Sequence, residues 1–117
     1  MRLTTERIEQ VTVATIEAEY LDTRNAHELK SALAQLLADE AHLVLDMSHV
    51  EFVDSSGLGA ILASLRRAAA RGGDLKVCAM SKPVRALFEL VRMHRIVEIL
   101  NSRQEAVAAF EATQQPA

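Results

Sequence analysis

A short apolar run, a polar loop and a helical apolar stripe form the segment that most constrains this fold. Residues Leu43 to Asp46 are apolar without alternation until the final carboxylate, which is typical of a strand buried on both faces. After the loop, apolar residues recur at helical spacing: Leu58, Ile61, Leu62 and Leu65. Leu75, Val77 and Ala79 then alternate with Lys76 and Cys78, as in a strand. The order strand, helix, strand predicts a right-handed βαβ unit with parallel strands.

The residues before this unit predict strands and one helix. From Val11 to Glu17 apolar and polar residues alternate and β-branched residues are frequent, which predicts a strand, and Ile8 belongs to a separate strand before it. A helical stripe then begins at Asn25, whose side chain is expected to cap the helix, and ends near Asp39.

The residues after the unit predict two more helices. Gly72-Gly73 stops the helix of the βαβ unit, and the next helix is expected after Ser81. Residues 96–100 form a short strand or turn. Ser102 and Glu105 have the spacing of a capping box, which opens a last helix that buries Val107 and Phe110.

The composition indicates one domain and favours protein partners over nucleic acid. The chain has 117 residues, of which 50% are hydrophobic and only 3% aromatic, so its single core is built from Leu, Val, Ile and Ala. A net charge of −3 argues against a nucleic-acid partner.

The single cysteine, Cys78, excludes an internal disulfide, fits a reducing compartment and is expected to be a buried, inert thiol. With neither a membrane-spanning run nor a signal-peptide segment, we expect a cytoplasmic protein with no membrane partner.

Two serines are expected at the mouth of the helix in the βαβ unit. Ser55 or Ser56 would accept hydrogen bonds from first-turn amides, and the helix dipole would favour a phosphate there. Gly57 and Gly59 remove side chains beside the serines, so that another protein's active site can approach the backbone. The alternative is a serine that only caps the helix and glycines that only permit a tight turn. Asp54 either structures the loop or contacts a partner.

The six residues Asp54, Ser55, Ser56, Gly57, Leu58 and Gly59 resemble a known signature. They match the phosphoacceptor loop Asp-Ser-Ser/Thr-Gly-Leu-Gly of the STAS domain in bacterial anti-sigma factor antagonists, and a looser likeness runs from about Ile8 to Phe110. The resemblance implies an α/β fold with a small mixed β-sheet and helices packed mainly on one side. It also implies a single STAS domain over residues 1–117, with a core of about 8–111 and a frayed tail at 113–117.

The function implied by the resemblance is control of a sigma factor by partner switching. With Ser56 unphosphorylated, the protein would bind an anti-sigma factor serine kinase and so release a sigma factor. Phosphorylation of Ser56, or less favourably of Ser55, would end binding, and a serine phosphatase would restore it. The partner-binding residues would be the six signature residues together with Glu19 and Asp22. The chain itself would bind no cofactor and would be a monomer or weak dimer.

Two departures from the family pattern accompany the match. Residues Ala18 to Asp22 include one more residue than the family's turn and lack its glycine. Arg92 stands where the family often has a glycine, and it either prolongs the third helix or adopts a left-handed conformation. The alternative functions are a STAS scaffold subunit of a stress-signalling assembly and the STAS subunit of a transport system.

The residues do not predict an enzyme. The serine segment lacks a Gly-x-Ser-x-Gly elbow, and the chain has neither nucleotide-binding glycine motif. The four histidines are scattered without metal-ligand spacing: His27, His42, His49 and His94. We therefore expect no catalytic residue and no metal site. Arg66, Arg67 and Arg71 either dock an acidic partner surface or form an ordinary solvated face.

Overall fold

The computed structural model describes residues 1–114 and shows strands and helices that alternate along most of the chain. The elements in chain order are β1 (Arg2–Ile8), β2 (Val11–Glu17), β3 (Tyr20–Leu21), α1 (Ala26–Asp39), β4 (His42–Asp46), β5 (Phe52–Val53), α2 (Ser55–Ala70), β6 (Asp74–Cys78), α3 (Lys82–Leu90), a 3₁₀ turn (Met93–Arg95), β7 (Glu98–Leu100) and α4 (Arg103–Gln114). The expected frayed tail begins at Thr113, yet α4 continues to Gln114. The last three residues of that tail lie outside the described part of the chain.

Five strands form one mixed sheet in the order β1-β2-β4-β6-β7. The first pair is antiparallel, and the other neighbours are parallel. β4, α2 and β6 therefore form the predicted unit with parallel strands. A separate parallel pair, β3 with β5, joins Tyr20 to Phe52 and Leu21 to Val53. This pair places the turn after β2 beside the start of α2.

The sheet is covered on both faces, and most helices lie on one of them. The larger core joins α1, α2 and α3 to the sheet, and its buried helical residues include Leu29, Leu33, Leu37, Ile61, Leu65, Val84 and Phe88. On the other face α4 contributes Ala106, Val107 and Phe110, which pack on Val11, Val13, Val44 and Cys78. The expected mixed sheet with helices mainly on one side is confirmed. The alternation expected in residues 11–17 does not leave Thr12 and Thr15 exposed, because helices cover both faces of the sheet.

The caps of α3 and α4 follow the sequence, whereas the cap of α1 does not. Ser81 Oγ accepts a hydrogen bond from the amide of Val84, and Ser102 Oγ accepts one from the amide of Glu105. The expectation that the Asn25 side chain caps α1 is wrong, because that side chain accepts no hydrogen bond from the first-turn amides. Its Oδ1 instead accepts the Asp22 amide at 3.1 Å, and its Nδ2 donates to the Tyr20 carbonyl at 2.7 Å. The side-chain amide group of Asn25 therefore fixes the turn between β3 and α1.

Two residues end helices in the left-handed region. Gly72, after α2, has φ of +80°, as expected of a helix-stopping glycine. Arg92, after α3, has φ of 63°, so the arginine accepts left-handed geometry and does not prolong the helix. A residue with a side chain pays a cost of about 1 kcal/mol or more there. The chain thus keeps the usual turn without the family's glycine.

Candidate functional site

The first turn of α2 is held by Asp54, which is the N-cap residue. Its Oδ1 accepts a hydrogen bond from the amide of Gly57 at 3.0 Å, and its own amide donates to the carbonyl of Leu21 at 3.1 Å. The expectation that Ser55 or Ser56 caps this helix is wrong, because both serines already lie within the first turn. Asp54 has the loop-structuring role, and neither serine hydroxyl is needed as the cap.

The two serines differ in exposure. Ser55 is exposed, whereas Ser56 is half-buried. Ser56 lines a surface depression of about 330 Å³ between α1 and α2, together with His27, Lys30 and Gly59. The positive end of the α2 dipole lies at the same place, so a negative group on Ser56 would be stabilised locally.

The two glycines of the segment have opposite surroundings. Gly57 is buried, and an added Cβ would lie 2.6 Å from the Leu21 carbonyl oxygen and 2.9 Å from Val53 Cγ1. The same Cβ on Gly59 would meet no atom within 4 Å. The expectation that Gly57 opens the loop to another active site is therefore wrong, because its missing side chain admits β3 and β5. Gly59 is the glycine that leaves the surface open.

Hydrogen bonds fix the turn that carries Glu19 and Asp22. The Glu19 carbonyl accepts the amides of Glu51 and Phe52 at 2.7 and 3.2 Å, and the Glu19 side chain is exposed. Asp22 is half-buried and pairs with Arg24, with 2.7 Å between Oδ2 and Nη2. Hydrogen bonds from the Arg24 side chain and backbone lower the pKa of Asp22. Glu19 is thus available to a partner, whereas the carboxylate of Asp22 is engaged within its own turn.

Two aromatic residues at the edge of the site were not predicted from the sequence. Tyr20 and Phe52 are 47% and 49% exposed, and their ring centroids lie 6.3 Å apart in an edge-to-face arrangement. The chain has only one tyrosine and three phenylalanines, so exposing two of these four rings is unusual. Aromatic residues of this kind are enriched at the centres of protein interfaces. The parallel pairing of β3 with β5, which the sequence did not reveal, brings them together.

Asp46, at the end of β4, has a structural role. Its Oδ2 is 2.7 Å from Nη2 of Arg103, which also donates to Thr15 Oγ1 at 2.9 Å. Burial raises the pKa of Asp46, but hydrogen bonds from the Ser48 amide and from Arg103 outweigh burial and lower it overall. The ion pair fastens α4 to β2 and β4. This ion pair could not be predicted from the sequence, because 57 positions separate the two partners.

The remaining reactive side chains form no second site among residues 1–114. Cys78 is fully buried, and burial raises its pKa to about 12, so the thiol is inert at neutral pH. His49 is exposed and lies 3.9 Å from Glu17. Within this described part of the chain no group of His, Cys, Asp and Glu is arranged to hold a metal ion. None of the helices described there has the length and apolar character needed to cross a membrane.

Similarity to known proteins covers nearly the whole chain. A family model described as the STAS domain matches residues 2–106. BtrV of Bordetella bronchiseptica, named as a candidate anti-sigma factor antagonist, is 30% identical over 95% of this chain and 96% of its own. An anti-sigma F factor antagonist of Paenibacillus polymyxa is 31% identical over 69% of this chain and 75% of its own. The crystal structure of an anti-sigma factor antagonist from Mycobacterium paratuberculosis has a TM-score of 0.83, 25% identity and 92% coverage of both chains.

Proposed function

We propose that this chain, which belongs to the STAS-domain family, is an anti-sigma factor antagonist controlled by phosphorylation of Ser56. While Ser56 is unphosphorylated, the protein binds an anti-sigma factor serine kinase and so frees a sigma factor. A serine phosphatase reverses the modification. The protein acts in the cytoplasm as a monomer or weak dimer. The kinase uses ATP as the phosphate donor, and the chain itself binds no cofactor.

One structural observation carries this proposal. Ser56 is half-buried but lines an open depression beside Gly59, while Asp54 and Gly57 fix the same helical turn from the inside. A kinase must bring a nucleotide phosphate to within bonding distance of the serine hydroxyl, which needs an accessible and well-positioned acceptor. Ser56 meets both requirements. Ser55, in the same turn, is more exposed, so the preference for Ser56 rests on its position directly before Gly57, where the family signature has its acceptor.

The docking surface extends from the signature residues to β3 and β5. Leu58 is partly buried against the core, and beside the signature lie the exposed rings of Tyr20 and Phe52 and the carboxylate of Glu19. Rigid aromatic side chains bury a large area at little cost in conformational entropy. We assign these three residues to the kinase-binding surface, and we assign Asp22 to positioning it through its pairing with Arg24.

The switch follows from charge. A phosphoserine carries about −1.5 to −2 charges at pH 7. Placed on Ser56, it would stand in the middle of a surface that a partner had matched to a neutral hydroxyl. The partner would have to desolvate the phosphate and would lose its close contact with the start of α2, so we expect affinity to fall without any change of fold.

Two measurements test the acceptor and the switch together. The chain is incubated with its kinase and ATP, and the phosphopeptide is mapped; we expect the label on Ser56. Calorimetry then compares the kinase affinities of Ser56→Ala and Ser56→Asp. Because Asp54 caps the helix, neither substitution should unfold it, and we expect Ser56→Ala to bind and Ser56→Asp to lose at least about tenfold in affinity, or 1.4 kcal/mol. Label that stays on Ser55 in Ser56→Ala, or equal affinities of the two variants, would contradict the proposal.

A further inference from the structure

A basic groove runs between α1 and α2 from Ser56 toward the end of α2. The depression at Ser56 is followed by a second of about 500 Å³, and Lys30 lines both, so the two lie side by side. Arg66 and Arg67 line the second depression. Residues with small or no side chains lie along the groove: Gly59, Ala60, Ala63, Ser64 and Ala70. An extended chain could therefore approach the helix backbones closely.

The charge of this basic groove is not balanced within the described part of the protein. No carboxylate of residues 1–114 forms an ion pair with Lys30, Arg66 or Arg67. Arg71 is different, because its Nη2 donates to the carbonyl of Ala38 at 2.6 Å at the end of α1. Three unpaired cations together on a chain of net charge −3 make a local positive field that attracts an anionic partner. Arg71, which follows α2, is thus engaged with α1, whereas Arg66 and Arg67 on α2 and Lys30 on α1 are left for recognition.

We propose that this basic groove binds an acidic, extended segment of the anti-sigma factor kinase, an inference that rests on the function proposed above. The groove begins at the phosphoacceptor, so a partner that acts on Ser56 is the one placed to reach it. Eleven helical positions from Ser56 to Arg67 span about 16 Å. An extended segment of about five residues covers this length. Its carboxylates would face Lys30, which both depressions share, and the two arginines at the far end of the groove.

The same groove explains how one phosphate weakens a whole interface. Ser56 and Lys30 line one depression, so a phosphate on Ser56 competes with the acidic segment for Lys30. It also adds negative charge at the mouth of the groove and repels the carboxylates that remain. Phosphorylation thereby removes a favourable contact and introduces an unfavourable one at the same point.

Charge reversal with a matched control tests the groove. The double variant Arg66→Glu, Arg67→Glu reverses its far end, away from Ser56. The control Arg2→Glu, Arg95→Glu has the same net charge and alters two exposed arginines that form no ion pair with residues 1–114. By calorimetry against the kinase we expect the groove variant to lose at least about tenfold in affinity, with weaker salt dependence, and the control to stay within about twofold. Equal affinities of the two double variants would overturn the inference.

A synthetic pentaglutamate peptide locates the site without the kinase. Titrated into the isotopically labelled chain, it should shift amide resonances of α1 and α2 along the groove, and the groove variant should abolish these shifts. Shifts elsewhere, or shifts that the variant leaves unchanged, would also overturn the inference. Ser56→Asp separates the two proposals. If Ser56→Asp loses kinase binding while the groove variant keeps it, the switch stands and the groove proposal fails; if Ser56→Asp keeps binding, the switch itself fails.

Discussion

The inner side of the first turn of α2 is tightly packed, whereas its outer side is open. The inner side consists of Asp54 and Gly57, which meet Leu21 and Val53 and leave no space for an added atom. The outer side consists of Ser56 and Gly59, which face the depression beside Lys30 and have room around them. Six consecutive residues therefore combine two functions. Asp54 and Gly57 fix the turn, and Ser56 and Gly59 lie on the side where we propose that the kinase acts.

Replacing Gly57 with alanine should give the largest loss of stability. The added methyl would lie 2.6 Å from a backbone carbonyl oxygen, which cannot move aside without displacing β3 from β5. Overpacking of this kind costs roughly 2 to 3 kcal/mol. Urea denaturation of Gly57→Ala measures the loss. A variant as stable as the parent would show that the inner side is not tightly packed and would erase the contrast between the two glycines.

Asp46→Asn tests a carboxylate that lies outside the signature and has a structural role only. Removing its charge leaves Arg103 without its closest partner, and we expect a loss of about 2 kcal/mol at pH 7. Because the pKa of Asp46 is lowered in the folded protein, its stabilising contribution is complete above the ordinary carboxyl range. That contribution is lost as the pH falls through the lowered value. The stability gap between parent and variant should therefore narrow below about pH 4, and a constant gap from pH 7 to pH 2 would contradict this role.

Asp54 is tested by a pair of substitutions that separate its cap from its charge. Asp54→Ala removes the acceptor for the Gly57 amide and should cost about 1 kcal/mol. Asp54→Asn keeps an oxygen acceptor and should cost only a few tenths. Thermal unfolding of the two variants measures the difference. If Asp54→Asn keeps its stability but loses kinase affinity, the carboxylate also contacts the partner, and the division between inner and outer sides is less sharp than proposed.

Gly59→Ala should have the smallest effect on stability, and of opposite sign. Its Cβ meets nothing within 4 Å, and alanine is favoured over glycine in a helix by up to about 1 kcal/mol. We therefore expect a small rise in the unfolding midpoint. Because the methyl would stand beside Ser56, we also expect phosphorylation to slow by about tenfold. Unchanged phosphorylation kinetics would show that the kinase does not close over this side of the turn.

The sequence predicted the elements well because their signals are local. The stripe of Leu58, Ile61 and Leu65 and the unbroken apolar run of β4 depend only on neighbouring residues, and the structure confirms both. The cap of α2 was assigned one or two residues too late. Asp, Ser and Ser all suit an N-cap, and nothing local in Asp54-Ser55-Ser56 decides among them.

What the sequence did not predict depends on contacts between distant residues. The backbone of Leu21 packs against Gly57, so this glycine does not open the surface to a partner. Tyr20 approaches Phe52 only because the two-residue strands β3 and β5 pair. Such short strands give no periodic signal. The groove likewise needs Lys30 from one helix and the arginines from another. A motif was enough to propose the phosphoacceptor, whereas the surface around it required the packing of α1, α2 and the β3-β5 pair.

Calorimetry of the kinase against two preparations of the same chain tests the central proposal most directly. One preparation carries phosphate on Ser56 at full occupancy, and the other is unmodified, so fold, sequence and every other contact are shared. We expect the unmodified chain to bind and the phosphorylated chain to bind at least about a hundredfold more weakly, or 2.7 kcal/mol. Equal affinities for the two preparations would contradict a switch at Ser56.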